Sequence, residues 1–225
     1  IEANGRYDGT SRFPEDDRFG FFPSVSAGWR ISNEGFMDGA SGWLDNLKLR
    51  ASYGTLGNQL LGSNYYPYVA TMGSGMSPYM MSGAGRIPYV SAAGLVSPSL
   101  TWETVVTQNI GFDIMMLKQR LDISFDAYYR DTKDMLMDVE YPPILGTSAP
   151  QSNAADLRTK GWELSATWRD RIGQDWVYSL MVGLADSQTE ITDYDNPTNA
   201  LSEHYIGKKM GEIWGYTTEG IFQTD

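Results

Sequence analysis

The chain has 225 residues, 28 acidic against 17 basic, for a formal charge of −11, and it contains no cysteine. That balance lacks the basic footprint of a nucleic-acid binder, and the missing thiols exclude disulfide frameworks, thiolate metal sites, iron–sulfur clusters and cysteine nucleophiles. A single histidine, His204, leaves no partner for a His-based metal site, while 7 Trp, 14 Tyr, 8 Phe and 24 Gly at a mean hydropathy of −0.36 point to an all-β chain rather than a disordered or helical membrane one.

In chain order, the first alternating run covers residues 24–31, with Val25, Ala27, Trp29 and Ile31 on one side and Ser24, Ser26, Gly28 and Arg30 on the other. Residues 47–54, Leu-Lys-Leu-Arg-Ala-Ser-Tyr-Gly, alternate without a break, which predicts a strand with two unlike faces. Residues 58–99 are rich in Gly, Ser, Pro, Tyr and Met and read as one long connection. Residues 103–116 are long enough for a helix, but their β-branched and glycine content argues for strand, most clearly over 109–114. Leu117-Lys118-Gln119-Arg120 is a tight turn. The strand after it, 121–130, sets Asp122, Ser124, Asp126 and Arg130 on one side. A second long, proline-bearing connection is expected over 133–157, then a strand over 162–169, a short turn over 171–175 and a strand over 176–185. Beyond Thr189 the chain is expected to open out again.

Long and short connections alternate from Leu47 onward. An antiparallel transmembrane barrel, with short turns on one rim and long loops on the other, has this property, and a soluble sandwich does not require it. One face of the strands ends in aromatics (Trp29, Tyr53, Tyr129, Trp162, Trp168, Trp176) and the other carries Lys48, Arg50, Asp122, Asp126, Glu163 and Arg169. In a membrane barrel the aromatics form interfacial girdles and the charges line a wet interior. In a soluble sheet one face covers a core and the other meets water. Alternation alone does not separate core from lipid, although several runs approach the ~9–11 residues that a tilted membrane strand needs.

Motifs of catalysis and cofactor binding are not met. Gly207-Lys208-Lys209 lacks the spacing and hydroxyl of a phosphate-binding loop, and Gly73-Ser74-Gly75 and Gly83-Ala84-Gly85 each lack the third glycine of a dinucleotide loop. Asp193-Tyr194-Asp195-Asn196 is faintly like a calcium loop, but glycine would be needed at Thr198 and glutamate at His204. Carboxylates are plentiful, yet no feature singles out a pair for glycosidase chemistry. Glu15-Asp16-Asp17 and His204 read as solvated surface. No enzyme activity, cofactor or metal is expected.

Several segments, in order, carry a family resemblance. Arg6-Tyr7-Asp8-Gly9-Thr10-Ser11-Arg12-Phe13, Gly20-Phe21-Phe22-Pro23-Ser24-Val25-Ser26-Ala27-Gly28-Trp29-Arg30-Ile31 and Leu44-Asp45-Asn46-Leu47-Lys48-Leu49-Arg50-Ala51-Ser52-Tyr53-Gly54-Thr55-Leu56-Gly57-Asn58-Gln59 resemble the barrel of SusC/RagA-type TonB-dependent transporters. The likeness continues through Leu100-Thr101-Trp102-Glu103-Thr104, Asn109-Ile110-Gly111-Phe112-Asp113, Asp126-Ala127-Tyr128-Tyr129-Arg130-Asp131-Thr132, Lys160-Gly161-Trp162-Glu163-Leu164 and Trp214-Gly215-Tyr216-Thr217-Thr218-Glu219-Gly220-Ile221-Phe222-Gln223.

The resemblance implies an all-β fold, an antiparallel transmembrane β-barrel segment of about eight or nine strands from a ~22-stranded outer-membrane barrel with long extracellular loops. Residues 1–225 would be a partial barrel domain from its C-terminal half, truncated at both ends, without signal peptide, energy-coupling box or plug. The implied function is import of oligosaccharides or peptides in Bacteroidetes-type bacteria. The implied partners are a SusD-like surface lipoprotein, the TonB–ExbB–ExbD complex and outer-membrane lipid. The alternative is a soluble or surface-displayed β domain that binds carbohydrate or a protein partner, or a passive porin.

Candidate lumen-lining residues are Lys48, Arg50, Asp122, Asp126, Arg130, Glu163 and Arg169, with Leu49, Ile123, Phe125, Leu164, Leu180 and Val182 expected to face lipid. Tyr65, Tyr66, Tyr68, Tyr79 and Tyr89, with Met72, Met76, Met80 and Met81 among small residues, are candidates for contact with substrate or with a lid protein. Flat rings with a hydroxyl and adaptable thioethers suit either task, and self-packing of the loop is the alternative.

Overall fold

The computed structural model describes residues 1–59, 65–81, 85–97, 100–138, 144, 146, 150–194, 196 and 204–220. Seven strands form one antiparallel sheet in the order β1-β2-β3-β6-β7-β8-β9: β1 (Glu2–Gly9), β2 (Phe19–Arg30), β3 (Leu44–Asn58), β6 (Glu103–Met116), β7 (Leu121–Asp138), β8 (Gln151–Ile172) and β9 (Trp176–Tyr194). The remaining two, β4 (Ser74–Met81) and β5 (Gly85–Val90), pair only with each other, inside the connection between β3 and β6. Of the nine strands among the described residues, seven form the wall and two a hairpin within the connection over 58–99. Ser91 Nα donates to the Gly73 carbonyl at 2.8 Å and closes the base of that hairpin.

The wall strands are longer than alternation predicts. β7, β8 and β9 run 18, 22 and 19 residues, roughly 60–70 Å at ~3.3 Å per residue, about twice a tilted membrane crossing. The second long connection thus shrinks to the residues between Asp138 and Gln151, and β9 continues past Thr189 to Tyr194. Residues 207–210 then turn back along the edge of β9. Gly207 Nα donates to the Ile191 carbonyl at 2.8 Å, and Met210 Nα to that of Thr189 at 2.8 Å.

Antiparallel crossing puts the β1–β2, β3–β6 and β7–β8 connections at one end of the wall. The β2–β3, β6–β7 and β8–β9 connections lie at the other. The β6–β7 turn is tight because Leu117, Lys118 and Gln119 all take left-handed backbone angles, with φ of 59°, 59° and 64°.

A large apolar interior is missing. Among the described residues the buried apolar side chains are Phe13, Phe22, Leu44, Leu100, Trp102, Ala155 and Ile191. Four of them, Phe13, Phe22, Leu100 and Trp102, form one cluster at the long-loop end, with Leu136 against it. The Phe13 and Phe22 rings meet Trp102 edge-on at 5.4 and 5.3 Å.

Candidate solute-facing wall

Directly opposed residues in an antiparallel sheet project from the same face, so the register sorts every side chain into one of two sets. Gly28, Arg50, Gly111, Asp126, Glu163 and Ala185 form one row across six strands, and Arg30, Lys48, Asp113, Ser124, Ser165 and Gly183 form the next row on the same face. By the same register all seven charged candidates, Lys48, Arg50, Asp122, Asp126, Arg130, Glu163 and Arg169, share this face. Leu49, Ile123, Phe125, Leu164, Leu180 and Val182 share the opposite one.

The apolar face has a sharp, slanted limit toward the long-loop end. Its last large apolar residues are Leu184 on β9, Trp162 on β8, Tyr129 on β7 and Val106 on β6. Each lies two pairs further along than its neighbour, because Leu184 pairs with Leu164, Trp162 with Ala127 and Tyr129 with Gln108. The residues just beyond are polar: Asp186, Lys160, Asp131 and Thr104. Strands tilted by ~35–45° to a level apolar layer require such a slope in the register. Above this limit Arg158 makes a two-pronged pair with Asp131 at 2.6 and 3.2 Å, and the Lys160 ammonium lies 5.9 Å from the centre of the Tyr129 ring.

On the charged face, Arg50 is the hub. Its Nε donates to Asp113 at 2.9 Å and its Nη2 to Asp113 at 3.1 Å and to Asp126 at 2.8 Å, while Ser124 Oγ donates to Asp113 at 2.9 Å. The guanidinium thereby binds β3, β6 and β7 together across the wall. Arg169 lies 3.6 Å from Asp122, and the Arg130 guanidinium sits 5.8 Å from the centre of the Tyr128 ring. Glu163 stands opposite Asp126, and Lys48 opposite Arg30, with no ion pair for Glu163 or Lys48 among the described residues.

The tyrosine candidates fall into two groups. Tyr65 lies under Arg12, 4.9 Å from guanidinium to ring centre, and the Tyr68 hydroxyl donates to the Ser11 carbonyl at 3.3 Å, so both pack on the β1–β2 connection. Tyr66 stays next to them in the chain and half-exposed. Tyr79 and Tyr89 lie on the β4–β5 hairpin and are exposed.

Of the acidic loop considered for calcium, Asp195 lies outside the described residues, and no group of three or more acidic or histidine side chains among the described residues is arranged to hold a metal ion. The His204 ring stands edge-on to Tyr194 at 5.5 Å.

Sequence reasoning missed the Phe13, Phe22, Leu100 and Trp102 cluster and the clamp that holds it. Asn153 accepts from Thr101 Nα at 2.9 Å, donates to the Thr101 carbonyl at 3.0 Å and also donates to the Asp134 carbonyl at 2.6 Å. Glu103 accepts from Asn58 at 3.2 Å and from Leu136 Nα at 3.3 Å. These bonds pin the segment carrying Leu100 and Trp102 to the wall. The only sequence signal was the Leu100-Thr101-Trp102-Glu103-Thr104 motif, which carries no periodicity.

An open antiparallel sheet of long, tilted strands, apolar on one face and charged on the other, is a segment of a membrane β-barrel wall. The family described as TonB dependent receptor-like, beta-barrel matches residues 1–222, and the chain belongs to that family of outer-membrane β-barrel proteins. It is 30% identical over 228 residues to TonB-dependent receptor P39 of Formosa agariphila, matching all of this chain and 21% of that protein. It is 32% identical over 206 residues to TonB-dependent receptor SusC of Bacteroides thetaiotaomicron, matching 89% of this chain and 20% of SusC. The RagAB peptide importer in its closed-closed state superimposes with a TM-score of 0.76 at 29% identity, covering 88% of this chain and 21% of that one. The chain thus spans about a fifth of the length of these relatives.

Proposed function

We propose that these residues form part of the barrel wall of a SusC-type importer that takes oligosaccharides or peptides across the outer membrane. The observation that carries this reading is the sorting of charge by face within the apolar band, between the short turns and its slanted limit, with Arg50, Asp126 and Glu163 in one row and Leu49, Phe125 and Leu164 in the next. The apolar face meets lipid and the charged face lines the lumen. A slip of one residue would put every charge into hydrocarbon, at roughly 2–4 kcal/mol for each basic side chain near the midplane. The long connections are extracellular. No step is catalytic: solute binds outside, a plug supplied by another part of the full-length protein moves, and solute passes along the polar wall. A SusD-like surface lipoprotein is the expected outer partner, and TonB–ExbB–ExbD the energy source.

The test is paired cysteine scanning of the full-length protein in isolated outer membranes. Ser165→Cys and Ser179→Cys should react with a water-soluble thiol reagent, and Leu164→Cys and Phe125→Cys only with a lipid-soluble one. The reverse pattern would refute the assignment of the two faces.

A further inference from the structure

We infer that the apolar face of the wall holds a site for one phosphorylated lipid of the outer leaflet, with its headgroup at Lys160, its carbonyl linkage at Gln108 and an acyl chain in a notch over Ala51 and Ala27. The inference rests on the importer reading above, since it takes this face to meet lipid.

The notch lies where large side chains are missing. Ala27, Ala51 and Ile110 stand directly opposite one another, with Val25, Tyr53 and Gln108 in the row above and Trp29, Leu49 and Phe112 in the row below. Two methyl groups between rows of larger side chains leave a hollow of about 380 Å³, walled by Trp29, Leu49 and Ile110.

Gln108 is a polar residue inside the apolar band. It is exposed, two residues on the membrane side of Val106, and stands between Tyr53 and Tyr129. Its amide makes no hydrogen bond among the described residues. Hydrocarbon alone would leave that amide unpaired, whereas the carbonyl of an ester- or amide-linked acyl chain accepts from it. Lys160, next to Tyr129 on the other side, is exposed and has no ion pair among the described residues, while Arg158 is already taken by Asp131.

Lys160, Tyr129 and Gln108 are directly opposed, and the limit of the apolar face climbs two residues per strand across them, so this row descends through the limit. Two residues along a strand tilted by ~40° change depth by ~5 Å. Lys160 therefore stands ~5 Å above the limit, Tyr129 at it, Gln108 ~5 Å below and Ile110 ~10 Å below. On β3 the same slope places the limit at Gly57, two residues past the Thr55 partner of Val106, which puts Ala51 ~15 Å deep. The hydrocarbon of one leaflet has that depth, half of a ~30 Å core. Cation, amide and apolar notch thus follow in the order of phosphate, carbonyl and chain in a lipid. Two carboxylates face the same way: Glu190 stands opposite Arg158, and Asp186 opposite Trp162. Asp186 repels a phosphate on the β9 side and leaves it the Tyr129 side of Lys160.

The test uses the full-length protein in detergent micelles, stripped of copurified lipid, with dipalmitoyl phosphatidic acid and its phosphate-free counterpart dipalmitoylglycerol as probes. Native mass spectrometry reads how much of each stays bound. We expect one molecule of the phosphatidic acid to be retained at a concentration several-fold below that needed for dipalmitoylglycerol. Lys160→Gln should abolish this preference, and Asp186→Asn should enlarge it. Gln108→Leu should weaken retention of the phosphatidic acid and leave its diether analogue, which has no carbonyl, unchanged. Ala51→Trp, which fills the notch, should raise the concentration needed of either probe by roughly three- to tenfold, with Ala27→Leu acting in the same direction and Val182→Trp, elsewhere on this face, having no effect.

Equal retention of the two probes, or a preference that survives Lys160→Gln, overturns the headgroup site. Unchanged retention in both Ala51→Trp and Ala27→Leu overturns the notch. Loss of a dimer in Ala51→Trp with no loss of lipid gives the notch to a second copy of the chain. Ala51→Cys in outer membranes separates the site from the reading beneath it: labelling by a lipid-soluble thiol reagent without lipid retention refutes the site alone, and labelling only by a water-soluble one refutes the placement of the wall.

Discussion

At the scale of single residues, Arg50 does the most to hold the charged face. Its guanidinium keeps Asp113 and Asp126, on neighbouring strands, from facing each other uncompensated. The group is about one-third exposed, so the penalty for removing it falls between that of a surface pair and that of a fully buried one. Arg50→Leu should lower the stability of the full-length barrel by about 1–2 kcal/mol, read as a lower temperature of heat-induced unfolding on gels, and Asp113→Asn with Asp126→Asn should restore most of it. No change in Arg50→Leu would mean that water already screens the cluster.

Asp134, in the bulged part of β7 at the long-loop end, behaves differently. It takes a left-handed φ of 55°, and loss of water around its carboxyl, followed by the charge of Asp156, raises its pKa above the ordinary carboxylate value, with Lys133 opposing. A raised acid binds its proton more tightly in the fold than in the unfolded chain, so its contribution is present at low pH and is lost as pH rises through the folded pKa. Asp134→Asn keeps a residue tolerant of that backbone angle and removes the charge. Amide exchange over residues 151–156 should become slower in the variant at pH 7, by a modest factor because the side chain is exposed, and should match the parent below about pH 3, where both forms are neutral. Equal exchange at pH 7 would discount the repulsion.

At the scale of elements, close approach and turn chemistry decide the wall. A Cβ at Gly111 would come within 2.7 Å of the Phe125 backbone carbonyl and 2.5 Å of Asp126, whereas a Cβ at Gly161 would meet only side-chain atoms of Tyr128, the nearest at 2.5 Å. The Tyr128 ring can rotate away and the β7 backbone cannot. Gly111→Ala should therefore reduce the yield of folded barrel well below that of Gly161→Ala, by comparison of heat-modifiable bands; equal yields would show that the β6–β7 ladder yields easily. In the β6–β7 turn, Lys118 is exposed and left-handed at a steric cost of about 1 kcal/mol or more. Lys118→Gly should raise stability by ~0.5–1 kcal/mol, and a loss would mean that the lysine is held by contacts outside this segment.

At the scale of the whole chain, the accessible surface is 16634 Å² for 25.1 kDa, against about 10,000 Å² for a compact monomer of that mass. The excess belongs to a sheet exposed on both faces, and Leu180, Val182, Leu184 and Ile110 on the apolar side are each more than half exposed. Produced alone, these 225 residues should aggregate in water and stay dispersed only in detergent or lipid, since edges and apolar face both lack their cover. A sharp monomeric peak with cooperative unfolding in detergent-free buffer would contradict the membrane-wall reading.

What the sequence determined by itself follows from where one strand face meets a medium unlike the other. Over 47–54, 121–130, 162–169 and 176–185 the period of two is plain, and with it the face of Arg50, Asp126 and Glu163, because apolar and polar surroundings lie on opposite sides of the same backbone. The outer halves of β7, β8 and β9 show no such alternation, since water on both faces selects no pattern; β1 alternates Glu2, Asn4, Arg6 and Asp8 with Ala3, Gly5, Tyr7 and Gly9, but with one large apolar residue the run carries little signal. The tertiary structure alone decided the rest. The Arg50–Asp113–Asp126 hub joins residues from three strands, and the Phe13, Phe22, Leu100 and Trp102 cluster joins two loops to the wall. Pairing across strands is set by ladder hydrogen bonds between residues far apart in the chain, and no local spacing encodes which residue will stand opposite which.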